Sequence, residues 1–137
     1  MDRVIFACVH NAGRSQMAAA FFSEMAEPMR AEAISAGTQP GDRVHPEVVD
    51  VMREVGIDLS AKRPRKLTDE LARGASLLIT MGCGDECPYV PGLLRDDWPL
   101  TDPRGQPIEE VRRIRDDIRN RVSALVDAGG WRRTASP

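Results

Sequence analysis

The chain has 137 residues, is 42% hydrophobic and carries a net charge of -2, which suits one compact domain with a sizeable core and argues against two. No basic excess is available to hold nucleic acid or an acidic membrane surface, so neither is expected as a partner. Three cysteines make an odd number, which argues against a secreted disulfide framework and for catalytic, redox or metal chemistry in a reducing compartment.

The N-terminal apolar run Val4-Ile5-Phe6-Ala7 reads as a strand that ends at Cys8. It is short and preceded by Asp2 and Arg3, unlike a signal or spanning segment, so a cytoplasmic location is expected. Residues 14–27 read as a helix with Met17, Phe21 and Met25 on one face, flanked by Ala18 and Phe22, and Pro28 marks its end. Ala31 to Ala36 reads as a second strand running into Gly37-Thr38-Gln39-Pro40-Gly41. Pro46 suits the first turn of a second helix, in which Val48, Val51, Met52 and Val55 form the apolar stripe and Gly56 closes the end. Thr68 is placed to cap a short third helix with Asp69 and Glu70 in its first turn.

Ser76 to Met81 is almost wholly apolar, as befits a central parallel strand. A last strand is expected near Asp97-Trp98-Pro99-Leu100, where Pro99 confines it to an edge. Ile108, Val111, Ile114, Ile118, Val122 and Leu125 mark the buried stripe of the final helix, with Glu109/Arg113 and Asp117/Arg121 as i, i+4 pairs on its wet side. Gly129-Gly130 ends it. Residues 1–130 are thus expected to form the single domain, and Trp131 to Pro137 a frayed tail. Strands alternating with helices imply right-handed crossovers and an open, four-stranded parallel sheet with helices on both faces, an α/β fold that binds ligands at the strands' C-terminal ends.

That rule gathers the chemical residues on one edge. Cys8-Val9-His10-Asn11-Ala12-Gly13-Arg14-Ser15 links a strand to a helix, so the loop's amides stand at a helix N-terminus and attract anions. Arg14 adds a planar fork suited to tetrahedral oxyanions. The same field favours the thiolate of Cys8, and Ser15 is placed to donate a hydrogen bond to its sulfur. Seventeen Arg in the chain make Cys-x5-Arg spacing alone a weak signal. The strand-to-helix context, and the left-handed tolerance of Asn11 and Gly13, make it strong. The bland alternative is a buried, inert thiol.

Cys83 and Cys87 are separated by three intervening residues in a Gly-rich segment after the third strand, within reach of one another. A redox pair, a metal site and incidental thiols all remain open, although two His and no second Cys pair give zinc little to work with. Asp102-Pro103 follows the last strand, where Asp102 would serve as a general acid toward a leaving oxygen or merely hydrogen-bond its own turn. His45 precedes a helix and reads as a cap rather than a catalyst. Trp98 reads as packing.

In order and nearly throughout the chain, the loop Cys8 to Ser15, Ser35-Ala36-Gly37-Thr38, Gly56-Ile57-Asp58 and Asp102-Pro103 resemble the low-molecular-weight phosphotyrosine phosphatases and, within that fold, the arsenate reductases. Gln16-Met17 resembles the reductase loop, whereas the phosphatases usually carry Pro at the position of Gln16. Arg104-Gly105 stands where those phosphatases have an aromatic pair, and Cys83 with Cys87 resembles the reductases' resolving thiols. The resemblance implies that Cys8 attacks arsenate held by the amides of residues 9 to 14 and by Arg14. It further implies that Asp102 protonates the leaving oxygen, and that Cys83 and then Cys87 relay the disulfide to thioredoxin or a mycothiol/mycoredoxin-type reductant. No metal or organic cofactor is implied. The interval between Cys83 and Cys87 is shorter than in the thioredoxin-linked reductases. A phosphatase using Cys8, Arg14 and Asp102 alone, or a thiol module that binds arsenite without turnover, are the competing readings.

Overall fold

A computed structural model describes residues 1–82 and 92–134. Four parallel strands, β1 (Asp2–Cys8), β2 (Ala31–Gly37), β3 (Leu77–Thr80) and β4 (Leu94–Asp97), form one sheet in the order β2-β1-β3-β4. Helices α1 (Arg14–Met25), α2 (Pro46–Arg53), α3 (Asp69–Arg73) and α4 (Ile108–Gly129) connect and follow the strands. From β1 the chain first moves to β2 on one side and then returns to β3 on the other. The C-terminal end of β1, where Cys8 sits, is therefore the topological switch point, at which the two crossovers diverge and leave a crevice.

Alternation along β1 divides the core. Val4, Phe6 and Cys8 face one cluster that includes Met17, Phe21 and Phe22 of α1, Val48 and Met52 of α2, and Val111, Ile118 and Val122 of α4. Ile5 and Ala7 face the other side with Ala36, Leu67 and Leu78, covered by Leu71 of the short helix α3. Phe6 meets Phe22 edge-on at 5.9 Å and Trp98 at 5.8 Å. Each fully buried Phe contributes about 2–3 kcal/mol. Arg112 and Arg115 of α4 both grip Glu54 just past α2, and Arg115 also donates to the Val51 carbonyl.

Local expectations hold at several ends. Pro46 opens α2, the Thr68 hydroxyl accepts from Leu71 N–H at the start of α3, and Gly56 closes α2 with Ile57 N–H bonded back to the Met52 carbonyl. Two boundaries differ. The first helix stops at Met25 because Ala26 is extended and bridges Arg132. The last strand lies at Leu94–Asp97, before Trp98 instead of through Leu100. As an edge strand with one neighbour, β4 tolerates exposed Leu94, Arg95, Asp96 and Asp97, while Trp98, its N–H still donating to the Thr80 carbonyl, and Leu100 are buried past the strand's end.

Residues 131–133 also differ from the frayed tail expected of them. Trp131 packs on Phe22 at 5.7 Å and donates from its indole to Asp2, its carbonyl accepts from Glu27 N–H, and Arg133 N–H donates to Met25. Short range gave no sign of this, because the partners lie a whole chain length away. Trp131→Ala should lower the unfolding free energy by about 2 kcal/mol in urea titration, less than the ~3–5 typical of a fully buried aromatic. No change would mean that the tail is undocked.

Candidate active site

The loop between β1 and α1 is shaped by where its carbonyls go. The Cys8 carbonyl accepts from Thr38 N–H (3.3 Å), Val9 from Gln39 (2.8 Å), His10 from Gly41 (2.9 Å), Ala12 from His45 (2.9 Å) and Gly13 from Met17 (3.0 Å). The Asn11 carbonyl accepts from the Gln16 side-chain amide at 3.0 Å. In a trans peptide the N–H of one residue points opposite to the C=O of the residue before it. Six carbonyls drawn outward therefore turn the amides of Val9, His10, Asn11, Ala12, Gly13 and Arg14 to the other side. None of these amides donates to another group among the described residues. Such a ring of free donors is an oxyanion cradle.

Helix α1 reinforces it. Its N-cap, Gly13, supplies no side-chain bond and its first turn holds no acid, whereas the first turns of α2, α3 and α4 carry Glu47, Asp69 with Glu70, and Glu109 with Glu110. The positive end of the α1 dipole is left for a ligand.

The buried Cys8 sulfur lies 2.9 Å from the Ser15 hydroxyl oxygen. The direction of that bond follows from neighbouring groups. Asn11 Oδ1 accepts from the backbone N–H of Arg65 at 2.9 Å, which fixes the amide so that Nδ2 donates to Ser15 Oγ at 2.7 Å. Ser15 is left with its own proton to give to the sulfur. Asn11 holds φ 51° to make these contacts, a left-handed conformation that Asn tolerates better than most residues. Close approach is also needed from β2. A Cβ on Gly37 would lie 2.6 Å from the Val9 carbonyl oxygen, so only glycine lets the end of β2 pack against the loop.

Arg14 is buried, donates from Nη1 to the Leu100 carbonyl at 2.9 Å and brings Nη2 to 3.8 Å from Asp102. Gly82 passes so near that a Cβ there would sit 2.7 Å from Arg14 Nη1. Asp102 makes the turn hydrogen bond that was one of its two sequence readings. One oxygen accepts from Arg104 N–H at 3.0 Å, stabilising its own turn, and the other faces Arg14. Pro103 and His45 flank Gly13. His45 makes no side-chain cap; its backbone, by bonding Ala12, serves the loop instead.

The structure thus brings together Cys8, the loop from Val9 to Ser15, Arg14 and Asp102. Cys83 and Cys87, read from the sequence as a redox pair, lie outside the described residues. The contributors that escaped the sequence reading include the Leu100 carbonyl and the Arg65 amide. Both are backbone groups whose chemistry leaves no mark on residue type.

Residues 3–131 match the family model for low molecular weight phosphotyrosine protein phosphatases. The chain belongs to this family. A putative arsenate reductase of Halobacterium salinarum is 44% identical over 126 residues, covering 89% of each chain. The glutaredoxin arsenate reductase of Synechocystis is 35% identical over 129 residues, 92% of this chain and 97% of that one. Among solved structures, a thioredoxin-dependent arsenate reductase of Corynebacterium glutamicum superposes with a TM-score of 0.82 at 38% identity, over 95% of this chain and 62% of the other. An arsenate reductase in its oxidized state gives 0.84 at 32% identity, over 94% and 99%. No helix among the described residues is long and apolar enough to cross a membrane.

Two measurements probe this geometry. Ser15→Ala should slow iodoacetamide alkylation of Cys8 at neutral pH about tenfold, the loss expected for a charge-assisted hydrogen bond; an unchanged rate would deny the bond its role. Burial holds His45 below its ordinary value of 6.5 against the opposing pull of Glu47 and Asp102, so the fold binds fewer protons there than the unfolded chain. Its contribution to stability is complete above pH 6.5 and lost as pH falls through the folded value. An NMR titration should find the His45 midpoint below 6.5, and His45→Gln should flatten the acid limb of the stability curve.

Proposed function

We propose that this protein reduces arsenate to arsenite, with Cys8 as nucleophile, in the reducing cytoplasm of its cell. The observation that carries the reading is the ring of inward amides around a thiol that receives a hydrogen bond from Ser15, combined with the reductase names of the relatives. Arsenate is a tetrahedral oxyanion and fits a cradle of backbone donors closed by Arg14.

The Cys8 thiolate attacks arsenic, forming a sulfur–arsenic bond as one arsenic–oxygen bond breaks. Asp102 gives the departing hydroxide a proton, and it leaves as water. The Cys83 thiolate then attacks the Cys8 sulfur. The electron pair of the sulfur–arsenic bond passes to arsenic, As(V) becomes As(III), arsenite departs and a Cys8–Cys83 disulfide remains. Cys87 attacks Cys83, frees Cys8 and leaves a Cys83–Cys87 disulfide for an external dithiol protein of the thioredoxin type to reduce. A mycothiol/mycoredoxin-type donor is the alternative reductant. In support, Gly82, the residue before Cys83, lies against the Arg14 guanidinium, so the chain enters the relay segment from the site itself.

A phosphatase reading is favoured by the family description and needs only Cys8, Arg14 and Asp102. Arsenate-dependent NADPH oxidation, with thioredoxin and thioredoxin reductase supplied, separates the two. Cys8→Ser, Cys83→Ser and Cys87→Ser should each abolish turnover, and the oxidised wild type should yield a Cys83–Cys87 disulfide on peptide mapping. Wild type inactive on arsenate but hydrolysing p-nitrophenyl phosphate through Cys8 would assign the phosphatase.

A further inference from the structure

Of the six outward bonds that shape the oxyanion cradle, five are donated by backbone N–H groups, from Thr38, Gln39, Gly41, His45 and Met17. The sixth comes from a side chain. Gln16, on the first turn of α1 and only 4% exposed, directs Nε2 to the Asn11 carbonyl at 3.0 Å and to Asn11 Oδ1 at 3.2 Å, with the Arg63 carbonyl 3.5 Å away. All three neighbours are acceptors, so the amide orientation is unambiguous.

We infer that Gln16 is a positioning residue for oxyanion binding: by holding the Asn11 carbonyl outward, it aims the Ala12 N–H into the cradle. Asn11 is the non-glycine residue with positive φ among the described residues. Its peptide link to Ala12 is therefore the segment of the loop with most to gain by turning over, and a rotated link would present a carbonyl, not an N–H, to the anion. Gln16 prevents this from a helix end that the core fixes through Met17 and Phe21. The same side chain reaches the segment at Arg63–Arg65, whose Arg65 N–H grips Asn11 Oδ1. Gln16 touches neither the anion's place nor the sulfur, and it acts through Asn11.

The inference rests on the anion-cradle reading above, and the test keeps the two apart. Cys8 alkylation by iodoacetamide is followed at increasing inorganic phosphate, in wild type and in Gln16→Met, a variant of similar length without a donor. Wild-type Cys8 should be protected. Gln16→Met should need about tenfold more phosphate for equal protection, each protein being compared with its own phosphate-free rate, while circular dichroism reports a folded chain. Equal protection in both proteins overturns the role of Gln16 and leaves the cradle standing. No protection in wild type overturns the cradle itself. Should Gln16→Met fail to fold, amide NMR of the wild type decides: saturating phosphate must shift the Ala12 N–H, and an unmoved Ala12 resonance overturns the inference.

Discussion

The planar trans peptide governs this site. Because each N–H is locked opposite the preceding C=O, a loop can turn a ring of donors inward only if it finds acceptor partners for its carbonyls outside. The chain solves this with two parts distant in sequence, the residues after β2 and the N-terminal edge of α2, and with the adjoining first turn of α1. The parallel sheet makes the gathering possible. With β1 central and β2 and β3 on either side, the loops following these strands emerge at one edge, within a few ångströms of one another.

Electrostatics and packing then act together. The chain as a whole is slightly acidic, so attraction for an anion has to be local. Leaving α1 without an acid in its first turn, burying Arg14 against the Leu100 carbonyl, and aligning free amides concentrate positive potential at the loop. Much of the hydrophobic core serves to hold that geometry still. Phe6, Phe22 and Trp98 clamp β1 against α1 and carry the chain from Trp98 to Leu100 inward, which delivers the carbonyl that Arg14 needs.

The polar relay from the Arg65 amide through Asn11 and Ser15 to Cys8 shows how a neutral network can aim a hydrogen-bond donor at a sulfur. Its members are a backbone amide, a side-chain amide and a hydroxyl. Each donor is committed by the acceptor behind it, so the last proton has one place to go, and the low-dielectric surroundings strengthen each link. Asp102, with one oxygen in its own turn and the other toward Arg14, is tied to the same edge of the loop.

Much was legible in the sequence because it rests on local periodicity and local chemistry. The order of strands and helices, the parallel sheet, the cap at Thr68, the turn at Gly56 and the loop from Cys8 to Ser15 all follow from spacing and residue type within a dozen positions. Residue type also named Arg14 and Asp102 and drew attention to Gln16. Only the tertiary structure decided which partners hold the loop, that Trp131 docks instead of fraying, and that the last strand stops before Trp98. The physical reason is common to all three. These features depend on backbone hydrogen bonds and apolar contacts between segments up to a chain length apart, and a backbone N–H or C=O is the same group whatever residue carries it. Sequence could therefore tell that an anion cradle was wanted at Cys8, and only the folded chain could tell which carbonyls and amides build it.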